Sequence, residues 1–372
     1  MAVKNKATIA DVARAAGVST ATAGRVLGGY GYTSEKKKEN VLKAAQKLGY
    51  RPNALARGLI TGKTRTLGVV AGDIQSPFYA SVLRGISNVA EANGFGLLMT
   101  NSDEIQSREV NAVELLAQKQ VDGLIVTPSD TRTARHLHNL WATGVPLVLI
   151  DRAVAGLTVD RVATDNITAA EHAVRHLIAT GHRRIGIVAE LVDEEHGGLD
   201  AFLSRALCGD PIESETLYPS WQRLLGYIRA HRIEGIPVDP RLALRAGSYS
   251  SLAAHAVVSR VMTFSNRPTA LFTTDGTMSE GAMRALADLN LSIPHDLSLV
   301  CFDDLDWMSF HRPGITTVAQ PRLAMGEAAA RMLLERIRGE DYPPRTVLMP
   351  AELIERASVD RPRSFKSETD PL

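Results

Sequence analysis

Residues 8–27 read TIADVARAAGVSTATAGRVL, two helical stretches and the corner between them. Thr8 and Asp11 are spaced as an N-cap followed by an acid at the third helical position, a variant of the capping box. Ile9, Val12, Ala13 and Ala16 then fall at i, i+3, i+4 and i+7, one helical face. Gly17 stops that helix, Val18 can plug the corner, and Ser19 or Thr20 can cap a second helix to about Leu27. This second helix is bare, with Arg25 as its first long polar side chain. It keeps Gly24 where alanine would stabilise a helix by roughly 1 kcal/mol. A helix that only has to pack carries larger apolar residues; one that slides into something narrow looks like this. After the loop GGYGY (28–32), Ser34 caps a third helix to about Leu48, with Val41, Leu42, Ala45 and Leu48 inward. The three form an all-α helix-turn-helix head over residues 1–50. An ordinary three-helix bundle is the plain alternative.

Charge separates these readings. The formal net charge is +1, but residues 1–65 hold 13 Lys/Arg against 3 Asp/Glu, a net of +10, and the remainder holds 29 against 38, a net of −9. A short basic head on an acidic body suggests a polyanion partner, most often nucleic acid. A solvated face around Lys36, Lys37 and Lys38 is the bland reading. Two cysteines, Cys208 and Cys301, cannot make a disulfide framework or a cysteine-based zinc site, which fits a reducing cytosol. The basic N-terminus lacks the apolar run of a secretory signal, and no stretch reaches 18 apolar residues. The expected place is the cytoplasm, with no membrane partner.

Residues 51–64 read as a hinge or linker, with PNALARGLITG able to form one short helix too brief to stand alone. From Thr66 the pattern changes. The apolar runs LGVVAG (67–72), FGLLMTN (95–101), GLIVTP (123–128), VPLVLID (145–151), RIGIVAE (184–190), TALFTTD (269–275) and LSLVCFDD (297–304) alternate with amphipathic helices. Buried, non-alternating strands between helices mean parallel sheets covered on both faces. At least seven such strands predict two doubly wound sheets, an α/β body over 65–356, followed by a polar, disordered tail over 357–372. Ligands in this architecture bind beyond the carboxyl ends of strands. Asp73, Asp151, Asp275 and Asp303 stand at four such ends. Each alone is as well explained as a helix cap; together they point to a hydroxyl-rich ligand.

Enzyme motifs fail. Gly58 and Gly62 in GLITGKTRT are separated by three residues where a phosphate loop needs four, and no G-x-G-x-x-G or G-x-S-x-G is present. His172 and His176 lack the glutamate placement of a metalloprotease, and DEEHGG (193–198) is an ordinary solvated cluster. No metal or cofactor is expected. The enzyme rival is a sugar-modifying or nucleotide-dependent α/β enzyme, which a turnover assay would separate from a binder.

The segments IADVARAAGVSTATAGRVL, GYRPNALARGL, TLGVVAGDIQSPFYASVLRGI, VDGLIVTP, VPLVLIDR, TDN, HLIATGHRRIGIVA and CFDD resemble the bacterial lactose-repressor/galactose-repressor (LacI/GalR) family, from about Thr8 to about Arg356. The resemblance implies a transcriptional regulator, in most cases a repressor. Its body is similar to periplasmic sugar-binding proteins, two lobes clasping a small sugar-like effector that controls operator binding allosterically. It implies a homodimer on a pseudo-palindromic double-stranded operator; no leucine-heptad segment follows Arg356, so a tetramer is not expected. By match to the family motif, Thr20, Ala21 and Arg25 read bases, with Arg25 suited to guanine. Ser19, Thr22, Tyr32 and Lys37 hold phosphates. Gly24 and Gly28 replace the serine and asparagine usual in the family. The hinge helix implies Leu59 as a minor-groove wedge beside Asn53, Ala56 and Arg57; Gly58 there raises the entropic cost of ordering it.

The effector half departs from the family pattern. About residues 192–217 look inserted, and the register puts Trp221 at the position of a sugar-gripping arginine, with Arg223 at a second arginine position. Trp221 stacking on an effector and Trp221 as buried packing stay open. The positions of Phe78, Tyr79, Tyr249 and Asp303 match the pocket. Aromatic faces and carboxylates together suit a sugar. Residues 193–217 carry seven acids and Arg205, placed to act as a flap over the cleft or as a surface loop. A regulator that answers to no small molecule, its pocket closed by the insertion, is the other reading.

Overall fold

Thr8 closes a reciprocal capping box with Asp11, and helix α1 runs Ile9–Ala16. Gly17 ends it at φ 64°, the left-handed region that costs glycine nothing. Helices α2 (Thr20–Gly28) and α3 (Glu35–Lys47) follow. Val12, Ala13, Ala23, Val41, Ala44 and Ala45 make the small core of this head. Leu42 and Leu48, expected inward, are exposed, and Ala44 takes the inner place because the buried face of α3 is narrower than the apolar pattern suggested. These coordinates are a computed structural model, which describes residues 7–28, 30–50, 63–192 and 197–363. The hinge candidates Asn53, Ala56, Arg57 and Leu59 lie outside the described residues. By internal contacts the chain divides into two units, Met1–Thr66 with Ala117–Asp122, and the rest.

The body is two lobes, each with a six-stranded sheet. The first sheet has strands β1 (Thr66–Ala71), β2 (Gly96–Asn101), β3 (Gly123–Val126), β4 (Leu147–Ile150), β5 (Asp160–Thr164) and β11 (Thr346–Met349), in the order β11-β5-β4-β3-β1-β2. The second has β6 (Ile185–Ala189), β7 (Ala243–Arg245), β8 (Ala270–Thr273), β9 (Ser298–Phe302), β10 (Thr316–Ala319) and β12 (Glu352–Ile354), in the order β12-β10-β9-β8-β6-β7. β11, β5, β4, β3 and β1 pair in parallel, as do β10, β9, β8, β6 and β7, and β12 lies antiparallel on β10. Seven of these strands answer to the apolar runs. β5, β7, β10, β11 and β12 carry Thr, Arg or Glu within three to five residues, too short and mixed to show a run.

The chain crosses between the lobes three times: after β5 into helix α7 (Asn166–Ala179), after β10 into α13 (Arg322–Arg338), and from β11 to β12. Helix α13 packs on α4 (Pro77–Ala92) in the first lobe, and Gly85 and Gly326 make that approach possible. A Cβ on Gly326 would strike the Val82 carbonyl, and one on Gly85 the Leu323 carbonyl. Ser358, expected within a disordered tail over 357–372, belongs to the packed body; residues 364–372 lie outside the described residues. Ser358 is fully buried, donates to the Leu299 carbonyl at 2.6 Å and accepts from Thr316 N–H, because the chain runs on beside β9 and β10.

Candidate functional site

On the head, α2 presents Ser19, Thr20, Ala21 and Arg25 to solvent, with Thr22 half-buried. Ser19 starts the helix: its hydroxyl accepts from Thr22 N–H at 3.2 Å and pairs with the Thr22 hydroxyl at 2.9 Å. Tyr32 is 92% exposed and Lys37 is exposed. The glycines of α2 have a local use. Tyr30 folds back over the end of the helix, where a Cβ on Gly28 would run into its ring. Its hydroxyl lies 3.7 Å from where a Gly24 Cβ would sit. Tyr30 therefore occupies the space that a side chain at residue 28 would need.

In the body, parallel strands deliver their carboxyl ends to one cleft, the place where this fold collects ligands. Asp73, Asp151, Glu190, Asp275, Asp303 and Gln320 follow β1, β4, β6, β8, β9 and β10 and line one cavity. Asp275 is also a helix cap, accepting from Met278 N–H at 2.9 Å at the start of α11 (Gly276–Asp288). Asp151 and Asp303 are different. Both have positive φ, 70° and 72°, a conformation that L side chains other than Asn and Asp avoid. Each backbone N–H bonds to the neighbouring strand, Asp151 to Val162 and Asp303 to Val318, so the two lobes repeat one turn.

Arg152 and Glu104 form the centre of the cavity wall. The guanidinium donates to both carboxylate oxygens, at 2.5 and 2.9 Å, and to the Pro128 carbonyl at 2.8 Å. Tyr79 donates to Glu104 Oε1 at 3.0 Å and Tyr218, from the other lobe, reaches Oε2 at 3.4 Å. The Arg152 guanidinium lies 4.0 Å from the centroid of the Tyr218 ring. Burial opposes ionisation of Glu104, but the Arg152 charge outweighs it and holds the carboxyl below its usual range. Asp151 goes the other way, pushed up by burial against the opposing pull of Arg152. Asp275 is raised further, by burial first and then by the Glu190 carboxylate beside it.

Two residues fix the far wall. Arg223 donates to Asn166 Oδ1 at 2.9 Å and to the Thr274 carbonyl at 2.6 Å, with its guanidinium 3.8 Å from the Phe302 ring centroid. Asp303 Oδ1 accepts from Gln320 Nε2 at 2.7 Å, and Gln320 Oε1 accepts from the Thr164 hydroxyl at 2.7 Å. That short chain ties a cleft acid to two of the segments that cross between lobes. The inner cavity holds only about 60 Å³. An outer chamber of about 640 Å³ shares Asp73, Ser76, Phe78, Tyr249 and Asp303 with it and adds Trp307 and Arg322.

Of the residues expected here, Asp73, Phe78, Tyr79, Asp151, Tyr249, Asp275 and Asp303 come together, and Trp221 does not. Trp221 is 1% exposed and packs on Phe202, ring centroids 4.9 Å apart and planes tilted by 58°, within the core of the second lobe. The reason is helical phase. Helix α9 (Pro219–Ile233) turns about 100° per residue, so Arg223 looks out on roughly the opposite side from Trp221. The segment expected to be an insertion supplies the partner. It forms helix α8 (Leu199–Cys208), and Phe202, Leu203, Ala206 and Leu217 are buried. It is not a loose flap, although one of its contacts crosses the cleft, Glu215 to Arg161 at 3.2 Å, and Tyr218 just beyond it makes another. Residues 193–196 lie outside the described residues. Sequence reasoning missed Glu104, Arg152, Glu190, Tyr218 and Gln320. Arg152 follows Asp151 in VPLVLIDR and Glu190 ends RIGIVAE, so the strand-end rule extends to both. Gln320 follows a strand that showed no run. No group of metal-ligating side chains is found among the described residues.

Residues 8–53 match the model of the bacterial regulatory proteins of the lacI family. Residues 67–198 match a periplasmic binding protein domain and residues 174–359 a periplasmic binding protein-like domain. Catabolite control protein A of Priestia megaterium is 32% identical over 351 residues, spanning 94% of this chain and 98% of that protein. The solved complex of the transcriptional regulator CelR with cellobiose is 27% identical with a TM-score of 0.66, over 95% of this chain and 99% of that one. The lac repressor dimer bound to operator and the anti-inducer ONPF shares the fold, with a TM-score of 0.79 at 24% identity, over 96% and 100% of the two chains.

Proposed function

Because the chain belongs to the lacI family of bacterial regulatory proteins, we propose that it is a DNA-binding transcriptional regulator, a repressor acting as a homodimer, whose hold on its operator is set by a small molecule in the cleft. Helix α2 enters the major groove, about 12 Å wide, where small side chains let the backbone come close to base edges. Thr20, Ala21 and Arg25 read bases, and Ser19, Thr22, Tyr32 and Lys37 hold phosphates. The minor-groove role of Asn53, Ala56, Arg57 and Leu59 is proposed from the sequence. A dimer places two heads on the two halves of a pseudo-palindrome. The protein is read as a cytoplasmic binder and not as an enzyme; among the described residues no helix is long and apolar enough to cross a membrane.

The observation that carries the effector reading is the chain Asp303–Gln320–Thr164. A ligand that takes hold of Asp303 acts on the segments about which the lobes move, and a ligand shifts a conformational equilibrium only through such differential contacts. The class of ligand follows from the acids and aromatic rings of the wall, which suit a sugar-like molecule, as the CelR complex contains. A second reading, regulation without any effector, is favoured by the inner cavity of about 60 Å³, well below the roughly 300–1,000 Å³ of ordinary ligand pockets.

Selection of duplexes from a random library by the full-length protein, followed by anisotropy titration, tests the DNA function. Selected sites should be pseudo-palindromic and bind about 10³-fold or more tighter than random duplex at physiological salt. Failure to enrich any site overturns it. Thermal denaturation against a metabolite panel separates the two regulatory readings, since a ligand at 100 times its Kd stabilises by about 2.7 kcal/mol.

A further inference from the structure

Six carboxylates line the inner cavity, Asp73, Glu104, Asp151, Glu190, Asp275 and Asp303, against two guanidiniums, Arg152 and Arg223. Both positive charges are already placed. Arg152 is engaged by Glu104 through both terminal nitrogens, and the hydrogen bonds of Arg223 go to Asn166 and the Thr274 carbonyl rather than to a carboxylate. Carboxyl groups thus outnumber guanidiniums in the wall.

Glu190 marks where the excess sits. It is 5% exposed, it lines the cavity, and its Oε2 has no hydrogen-bond partner. A buried carboxylate oxygen without a donor is costly, and such an atom in a native structure requires an explanation. Asp275 stands next to it, its proton affinity raised by burial first and then by the Glu190 carboxylate. Asp303 already has Gln320 as a donor, and Asp73 accepts from Gln75 N–H. The unmet demand is therefore local, at Glu190, beside an Asp275 whose two oxygens accept from Met278 N–H and from the Thr274 hydroxyl.

A hydroxyl can supply a donor there, but it leaves the charge uncompensated. An ammonium supplies three donors and the charge together. Tyr79, Tyr218 and Phe78 also line the cavity, and the Tyr218 ring already holds one cation, the Arg152 guanidinium at 4.0 Å. We propose that the effector carries a protonated amine that seats between Glu190 and Asp275, an amino sugar or similar hydroxylated amine rather than a neutral sugar. This rests on the reading of the cleft as an effector site and specifies the chemistry of that ligand.

The test is calorimetric titration of the full-length protein with matched probes that differ only in the amine: glucosamine, glucose and N-acetylglucosamine; galactosamine and galactose; putrescine and 1,4-butanediol. At least one amine should bind about tenfold or more tighter than its neutral counterparts, the gap between a charge-assisted and a neutral hydrogen bond. Glu190→Gln should erase that preference, and Asp275→Asn should reduce it, with thermal midpoints no lower than that of the parent. Neutral probes binding as tightly as amines overturn the amine and leave the effector cleft standing. No probe binding at millimolar concentration overturns the effector cleft and this inference with it. A preference that survives both substitutions places the amine elsewhere and also overturns the assignment.

Discussion

The Arg152 guanidinium lies 4.0 Å from the centre of the Tyr218 ring, and the two residues come from opposite lobes. Tyr218 stands at the start of helix α9, immediately before Pro219, and brings its ring from the second lobe to Arg152 of the first. Tyr218→Ala should loosen that bridge, since a desolvated cation–π contact contributes about 0.5–2 kcal/mol. Hydrogen exchange should rise in the segments around Glu104 and Arg152 as well as at Tyr218. Tyr218→Phe keeps the ring, loses only the 3.4 Å bond to Glu104, and should change exchange little. Equal effects of the two variants would mean that the hydroxyl, not the ring, holds the lobes.

Asp275 gives a pH signature. Its folded pKa is raised above the ordinary value by burial and by Glu190. The folded state therefore binds its proton more tightly than the unfolded state does. The stability contributed is fully present below the unfolded pKa, near 4, and is lost as pH rises toward the folded pKa. Asn cannot ionise but can still cap α11. Asp275→Asn should thus raise the thermal midpoint increasingly from pH 4 upward, with a gain of about 0.5–2 kcal/mol once the wild-type carboxyl ionises. A pH-independent difference would contradict this.

Gln320 tests the coupling. Gln320→Leu removes the link between Asp303 and Thr164 at similar volume. Operator affinity without ligand should stay near wild type. The change of operator affinity that an effector produces should shrink by about 1–3 kcal/mol, the usual span of a coupling free energy. An unaltered response would place the coupling in other contacts.

Arg25 and Lys37 should fail in different ways. Arg25→Ala is expected to lower operator affinity by about 1–3 kcal/mol and relax one base position. Lys37→Ala should weaken operator and random DNA alike and reduce the salt slope by about 1. An unchanged specificity ratio in Arg25→Ala would remove α2 from the groove.

The head was legible because its signals are local: a capping box, a left-handed glycine and a 3.6-residue stripe lie within a dozen residues. The long buried strands were legible as runs, and with them the acids at their ends. What stayed hidden depended on partners far along the chain. Trp221 looked like a pocket residue because its core partner, Phe202, lies on helix α8, in a segment read only as a flap or a surface loop. Leu42 and Leu48 fit an apolar stripe, yet three small helices cannot cover all of it. Gln320 sits after a four-residue strand of two threonines, a valine and an alanine, where neither period nor composition distinguishes strand from loop.

The three crossings between lobes have a consequence for synthesis. The first lobe lacks helix α13 and strand β11 until Met349 has been made. At about 5–20 residues per second, the stretch from Thr164 to Met349 occupies a ribosome for roughly 10–40 s. Throughout that interval Val82 and Ile86 face an absent helix, and β5 has no neighbour on its outer side. An apolar face and a bare strand edge held open together are what aggregation uses.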